Sequence, residues 1–417
     1  ERGSTSTTVA FGICPRINAA GRMGSADRAI RLLLSEDYEE ANALAQEIND
    51  ENATRQQTEQ EILNQAVAQI KNNPNWIYQN VLVVAGEGWH DGVVGIVASR
   101  LVEKYGKPTL VITVDGDDAK GSGRSIDGFN LYDALSHCGE CLTHFGGHML
   151  AAGIGLKTEN IGTFRKAINA YADSFEMPFP IQTVDFKLNP AYVNAEMLSA
   201  IEQLEPFGAG NPQPVFGLYN MTITDIQPIG SGKHLRIILE RNGVSLQTLK
   251  FRTLQADFPY VKGDVIDAAV GLEPNEYLGQ LRVSVLLKNI KLHDMVEDDL
   301  FVSMRDFSML MRGKSEGFDA SLLVPQRETT AKVYRYIRSV GRWNYDTETL
   351  CHRLDFWAED YGQVAVSVEA MLEMGILIRD ENGGLSAPKT SEKVNLQDAP
   401  VLKRLRQHLT TGECELP

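Results

Sequence analysis

The sequence predicts a multidomain chain of α/β plus β class: a long connector helix, an α/β domain, a small β-barrel of the OB type and a winged-helix-like α+β domain. Three observations carry that reading. Residues 25–71 contain no proline or glycine, strand-like runs alternate with helical ones over 81–171, and β-type runs with glycine-bearing turns dominate 215–287. A length of 417 residues agrees, because ordinary domains run to about 150 residues each. The expected divisions are 1–24 (the closing segment of a preceding domain), 25–75 (connector), 76–180 (α/β), 181–294 (barrel) and 300–417 (winged-helix-like).

In order along the chain, residues 1–24 run from polar Ser and Thr through Val9-Ala10-Phe11 into Pro15-Arg16-Ile17-Asn18, and read as a domain cut open. In the connector, acidic and amide side chains dominate around a thin apolar stripe of Leu44, Ile48, Ile62, Val67 and Ile70, the pattern of a solvent-bridging helix. Asn72-Asn73-Pro74 ends it. Strands follow at 81–85 and 109–113 with a helix at 91–102 between them, and Gly121-Ser122-Gly123-Arg124-Ser125 marks the end of a third strand. A helix at 131–142, a turn at Gly146-Gly147-His148, a strand at 151–156 and a helix at 164–171 complete the α/β region. After a helical 194–204, runs at 215–218, 221–227, 235–240, 245–251, 265–272 and 281–287 make the barrel. Residues 295–299 form an acidic link, 329–340, 347–357 and 364–374 read as helices, and Asn382-Gly383-Gly384 turns a hairpin wing.

Composition narrows the function. A hydrophobic fraction of 43% and a charged fraction of 23% belong to a soluble globular chain. No apolar run reaches the roughly 18 residues a membrane span needs, and no basic-then-apolar leader opens the sequence. Five cysteines, odd and sparse, suit a reducing cytoplasm. The net charge of -15 weighs against a generic nucleic-acid binder, yet an acidic body can carry a basic groove.

Five segments, in order, resemble the RecJ exonucleases. They are Pro15-Arg16-Ile17-Asn18-Ala19-Ala20-Gly21-Arg22; the run from Gly88-Trp89-His90-Asp91-Gly92 to Ser99-Arg100-Leu101; Ser122-Gly123-Arg124-Ser125; Phe145-Gly146-Gly147-His148 with Ala151-Ala152-Gly153; and Pro206-Phe207-Gly208-Ala209-Gly210-Asn211-Pro212. The resemblance runs from Arg16 to about Leu292. It implies a DHH domain whose Asp and His clusters bind two Mn²⁺ or Mg²⁺ ions, a long helix, a DHHA1 domain at 76–180 and an OB domain, and a 5′→3′ exonuclease of single-stranded DNA serving DNA repair and recombination. Only the last segment of the DHH domain is expected here. No histidine directly follows an aspartate, so no Asp-His-His run exists. Two-metal cleavage needs carboxylates and imidazoles converging on both ions, so no metal ligands are expected in this chain and the piece alone should not cut DNA.

Ser122, Arg124 and Ser125 offer hydroxyls and a guanidinium fork, groups suited to a phosphate with several exposed oxygens. The resemblance implies that Ser122 and Arg124 grip a 5′-terminal phosphate; a strand-end turn with a surface arginine is the plainer alternative. Gly146 and Gly147 would let backbone N–H groups approach a phosphate, with His148 in a supporting catalytic role rather than simply hydrogen-bonded at a helix end. Arg16, Asn18 and Arg22 would face the same cleft or be ordinary loop residues; His90 and Trp89 are as readily structural. Cys138, Cys141, His144 and His148 have zinc-ligand types, but four ligands in one short stretch would consume His148, and incidental cysteines are the preferred reading. Gly230-Ser231-Gly232-Lys233-His234 lacks the phosphate-loop pattern and reads as a β-turn. Lys233, Arg236, Lys250, Arg252, Tyr277 and Arg282 would line a single-strand groove on the barrel or belong to a mixed-charge surface.

The expected partner is single-stranded DNA with a 5′ end, with a single-strand-binding protein or helicase as a further candidate and no membrane. Two alternatives stay open: a non-catalytic single-strand-binding module, and a phosphodiesterase of short oligonucleotides, against which the barrel counts.

Overall fold

The computed structural model describes residues 8–179, 181–208, 210–277, 280–380, 383–388 and 394–411. The chain forms two compact units, Glu1–Pro180 and Ile181–Pro417.

The first unit opens with a π-helical turn, Val9–Ile13, followed by α1 (Cys14–Met23), α2 (Asp27–Leu34) and α3 (Tyr38–Asn72). The proline-free stretch is therefore two helices, not one. The Asp37 carboxylate accepts the Glu40 N–H at 2.7 Å and starts a new helix after Ser35-Glu36. With 35 residues, α3 is about 50 Å long. It is less bare than its composition implies. Near its start, Ile48 packs on Ala20 of α1 and Ala29 of α2. Near its end, Ile62, Ala66 and Ile70, four residues apart, lie on the α/β domain.

That domain consists of β1 (Leu82–Glu87), α4 (Asp91–Tyr105), β2 (Thr109–Asp115), β3 (Asp118–Arg124), α5 (Leu131–His137), β4 (His144–His148), β5 (Ala151–Lys157) and α6 (Ile161–Ala172). The sheet order is β1-β2-β3-β5-β4, with β1 parallel to β2 and the other neighbours antiparallel. One face packs through Leu110, Ile112, Ala152 and Ile154 onto Leu131 and Leu135 of α5 and Phe164 and Ile168 of α6. The other packs through Leu82, Val84 and Val111 onto α3 and α4. The helix expected over 131–142 stops at His137, and a 3₁₀ turn, Gly139–Cys141, follows, because glycine is a poor helix former. The two outer edges differ. At β1, Asn169 of α6 exchanges hydrogen bonds with both the N–H and the carbonyl of Val81, each 3.0 Å, and Arg165 donates to the Val83 carbonyl. That edge is sealed against further pairing. The opposite edge, β4, is exposed along most of its length.

In the second unit, β6 (Phe186–Lys187) and α7 (Ala195–Glu202) precede a barrel of β7 (Phe216–Ile229), β8 (His234–Arg241), β9 (Val244–Lys250), β10 (Val265–Tyr277) and β11 (Gln280–Leu292). β7 pairs antiparallel with both β8 and β10, and β11 lies parallel to β9, which closes the ring as an OB-type barrel. The two runs expected at 215–218 and 221–227 are one strand. It bends instead of breaking, at the left-handed Asn220 (φ 54°) and at a register shift between Ile223 and Asp225.

The C-terminal helices are α8 (Glu297–Met311), α9 (Arg327–Val340), α10 (Thr347–Arg353), α11 (Tyr361–Glu373) and α12 (Pro400–Thr411), with a hairpin of β12 (Ile378–Arg379) and β13 (Leu385–Ser386). Trp343 exchanges both backbone hydrogen bonds with Leu385 and supplies the wing's third strand. Sequence reading takes the start of α8 for an acidic link, passes over α12, and carries α10 on to Trp357; Asp355 turns left-handed (φ 52°) after Arg353 ends it. α11, third in the winged-helix order, is buried on nearly all sides, at Val364, Ala365, Val366, Ser367, Val368, Ala370 and Met371. It is core, and not a helix presented to a groove. Arg353 docks this domain on the barrel by a bidentate pair with Asp264, 2.6 and 2.7 Å, and a third bond to the Pro259 carbonyl. Burial alone would raise the Asp264 carboxyl. Hydrogen bonds from Arg353, His352 and the Val261 N–H overcome that and hold it well below the ordinary carboxylate range.

Candidate nucleic-acid interface

The antiparallel register sets the geometry of the site. Arg124, Ala151 and His148 form one row across β3, β5 and β4; Ser122, Gly153 and Gly146 form the next; Lys120, Gly155 and His144 form the third. Side chains in a row, and those two residues apart on a strand, share a face. In these three rows the middle strand thus contributes only Ala and Gly, while cationic and polar groups stand on β3 and histidines on β4. β3 and β4 are two strand spacings apart, about 10 Å.

α4 covers the β3 side. A side chain at Gly95 would come within 2.9 Å of the Arg124 guanidinium and 3.0 Å of Ser122 Oγ, so the small residue is what lets α4 settle against the pair. Among the described residues nothing comparable covers the Gly153–Gly146 row. A Cβ at Gly146 would meet nothing within 4 Å, and one at Gly153 only the Gly121 carbonyl at 3.9 Å. The result is an open shelf with a backbone floor.

Arg124 donates to Ser122 Oγ at 2.9 Å and to the Gly123 carbonyl at 2.7 Å, and among the described residues it has no carboxylate partner. Burial, and then the nearby charge of Arg22, hold its guanidinium below its usual pKa. Arg22 reaches this neighbourhood because the C-terminal end of α1 abuts the start of α4, where Arg22 donates to the Gly92 carbonyl at 3.1 Å. Neighbouring cations with no carboxylate hydrogen-bonded to them among the described residues can attract an anion.

Of the residues singled out in the sequence, the structure brings Ser122, Arg124, Gly146, His148 and Arg22 to this region, and Asn18 lies one helical turn before Arg22 on the same side of α1. Arg16 instead donates to Asn49 of α3 and to the Gly12 carbonyl. Ser125 fastens a loop, its hydroxyl donating to the Phe129 carbonyl at 2.7 Å. The double-glycine segment is a correction: Gly146-Gly147-His148 lies within strand β4, not in a turn, and only Gly147 has positive φ (150°). Trp89 is buried and hydrogen-bonded to Gln65, and His90 caps α4 by accepting the Gly92 N–H. Cys138 and Cys141 pack into the core on the other face of the sheet from His144 and His148. Burial, with Cys141 adjacent, pushes the Cys138 thiol up to about 11.

Sequence reasoning gave Lys120 and Gly155 no role, named Gly153 only within a family motif, and weighed His144 only as a zinc-ligand type. The period-two pattern held them: Lys120, Ser122 and Arg124 alternate along β3, as Ala151, Gly153 and Gly155 do along β5.

On the barrel, Phe251 is 51% exposed and meets the His234 ring edge-on at 5.1 Å. The Arg252 N–H donates to His234 Nδ1 at 2.9 Å, and the burial of Lys250 lowers its pKa. An exposed ring beside cations has the chemistry that stacking on a base requires. Arg236 is engaged by Gln227, Arg282 is exposed, and the Tyr277 side chain lies outside the described residues. Among the described residues no three His, Cys, Asp or Glu side chains are grouped to hold a metal ion, and no helix is long and apolar enough to cross a membrane.

A DHHA1 domain model matches residues 73–174, and a RecJ OB domain model matches residues 184–289. The chain is 36% identical over 288 residues to the single-stranded-DNA-specific exonuclease RecJ of Bacillus subtilis strain 168, covering 68% of this chain and 36% of that protein. It is 29% identical over 293 residues to the protein of the same name from Escherichia coli, covering 67% of this chain and 50% of that one. The chain therefore spans half or less of the length of these relatives. The crystal structure of RecJ from Thermus thermophilus in complex with Mn²⁺ is similar with a TM-score of 0.59 at 29% identity, over 70% of this chain and 43% of that one; for its Mg²⁺ complex the values are 0.58 and 29%, over 69% and 44%.

Proposed function

The chain belongs to the RecJ family, and from that premise we propose that it grips single-stranded DNA by a 5′-phosphorylated end for a 5′→3′ exonuclease reaction. The observation that carries this reading is the pair of neighbouring cations, Arg124 and Arg22, with no carboxylate hydrogen-bonded to them among the described residues, beside a floor of bare backbone on the face that also bears His148. A terminal phosphate on the shelf would take the Arg124 fork and the Ser122 hydroxyl. The barrel, by itself, offers a single strand further cations and the Phe251 ring.

Related proteins are named as exonucleases and are crystallised with Mg²⁺ or Mn²⁺. The described residues do not fit such ions, so no cleavage step is assigned to them. We infer that this chain contributes binding and end positioning, with the metal-dependent hydrolysis lying outside it.

The test is binding of matched strands bearing a 5′-phosphate or a 5′-hydroxyl. The phosphorylated strand should bind more tightly, and Arg124→Ala should abolish the difference. Charge-assisted hydrogen bonds are worth about 1.5–3 kcal/mol each, so about tenfold or more is expected. Equal affinity of Arg124→Ala and the parent for the phosphorylated strand would end this reading. Mn²⁺-dependent release of nucleotides by the chain alone would refute the division of labour.

A further inference from the structure

The shelf has two unlike ends. At the Arg124–Ala151–His148 row the side chain of His148 is exposed, and at the Gly153–Gly146 row the floor is exposed backbone. At the third row it is not. Gly155 has no side chain and is nonetheless buried, because the His144 ring lies across it. A Cβ at Gly155 would stand 2.1 Å from Cε1 of that ring and 2.6 Å from its Nδ1. Thr143 Oγ1 lies within hydrogen-bond reach of the ring, 3.2 Å from Nδ1. One row further on, Asp118 and Lys157 face the same side and pair at 2.6 Å, so this end continues into a salt-bridged surface with no exposed floor. His144 thus turns over β5 at Gly155 while keeping one side to solvent, and His148 is also exposed.

We propose that His144 is the end stop of the shelf, a specificity-determining residue that makes the groove blind and so admits a strand terminus while refusing a strand that continues. This rests on the reading of the shelf as a 5′-end site, and deepens it. A phosphate held by Arg124 and Ser122 sits over the Gly153 row, with the ring over Gly155 directly beyond. A terminal phosphate ends there. A phosphate esterified by a further group that continues along the floor would project that group into the space the imidazole fills. Discrimination by a built clash needs no new attraction to the correct ligand. The cations select an anion, and the ring selects an anion with nothing beyond it.

The experiment compares two oligodeoxynucleotides of one sequence, one with a free 5′-phosphate and one whose 5′-phosphate is esterified to a fluorescein linker, on the full chain. The parent should prefer the free phosphate by about tenfold or more, the effect of about 1.4 kcal/mol. His144→Ala clears Gly155 and should bring the two affinities to within about threefold by tightening the esterified strand alone. His144→Phe keeps a ring over Gly155 and should preserve the preference, which a role in general folding would not predict. An unchanged ratio in His144→Ala, or a ratio lost equally in His144→Phe, overturns the proposal. Arg124→Ala serves as the control for the underlying site. If it weakens the phosphorylated strand while His144→Ala leaves the ratio intact, the stop is wrong and the site stands. If Arg124→Ala has no effect, the site itself is wrong.

Discussion

Valine at Gly153 should make the protein more stable and at the same time unable to bind. Most substitutions that abolish binding also cost stability, so the combination is diagnostic. Gly153 is exposed in mid-strand, its Cβ direction is open apart from the Gly121 carbonyl at 3.9 Å, and its φ is not left-handed. A glycine inside a strand costs about 0.5–1 kcal/mol through backbone freedom, and a β-branched residue suits the pleat. Gly153→Val should therefore gain about 1 kcal/mol, a rise of about 2–4 °C in Tm for a unit of this size. The same isopropyl group would stand on the floor beside Ser122 and keep a phosphate from the Arg124 fork. Losing two charge-assisted hydrogen bonds of about 1.5 kcal/mol each weakens binding about 100-fold. Gly146→Val, where nothing lies within 4 Å of the new Cβ, is the replicate one strand over. The assays are thermal denaturation and fluorescence anisotropy with a 5′-phosphorylated strand. Retained affinity in both variants would refute the shelf as the binding surface, and a fall in Tm would refute the openness on which the reasoning depends.

Other outcomes follow from the same structure. Arg353→Met leaves the Asp264 carboxylate buried without its bidentate partner, and should cost about 3–5 kcal/mol in urea unfolding, part of it restored by adding Asp264→Asn. Burial first, then the charges of Asp346 and Glu297, raise the Glu348 carboxyl from 4.5 to about 7. A raised carboxyl means the folded form holds its proton more tightly, so stability is lost as pH climbs through that window, by at most about 3 kcal/mol. Glu348→Gln should match the parent at pH near 4.5 and melt higher above pH 7. Phe251→Ala should weaken single-strand binding by about 1–3 kcal/mol, the usual value of one stacked base, with no change in the preference for a 5′-phosphate. Asn169→Ala unseals β1 and should cost about 2 kcal/mol for its two backbone bonds at Val81.

Much of this architecture could be read in the residues. The alternation from Leu82 to Ala172 gave an α/β sheet because continuous apolar runs such as Leu110-Val111-Ile112 are buried on both faces. The barrel was legible from its glycine-bearing turns. Other features depended on information that local pattern lacks. The break at Asp37 is a capping event in a run with no helix breaker. α8 was overlooked because its first turn is acidic, although acids there favour the helix dipole. The shelf is a property of register. Ser122-Gly123-Arg124 and Gly146-Gly147-His148 stand out in sequence for their chemistry, but Gly153 and Gly155, between them in space, are simply small. Motif reading found the walls, and touched the floor at Gly153 without assigning it a part.

The way the barrel closes has a bearing on how the chain reaches this state during synthesis. β7 must pair with β10, and β9 with β11, so the ring cannot shut until residues near Leu292 have left the ribosome. Until then an apolar meander from Phe216 to Lys250 waits with open sides, the kind of long-range closure that is slow and prone to mispairing. A ribosome stalled inside β11 should therefore display a protease-resistant first unit followed by a protease-sensitive barrel.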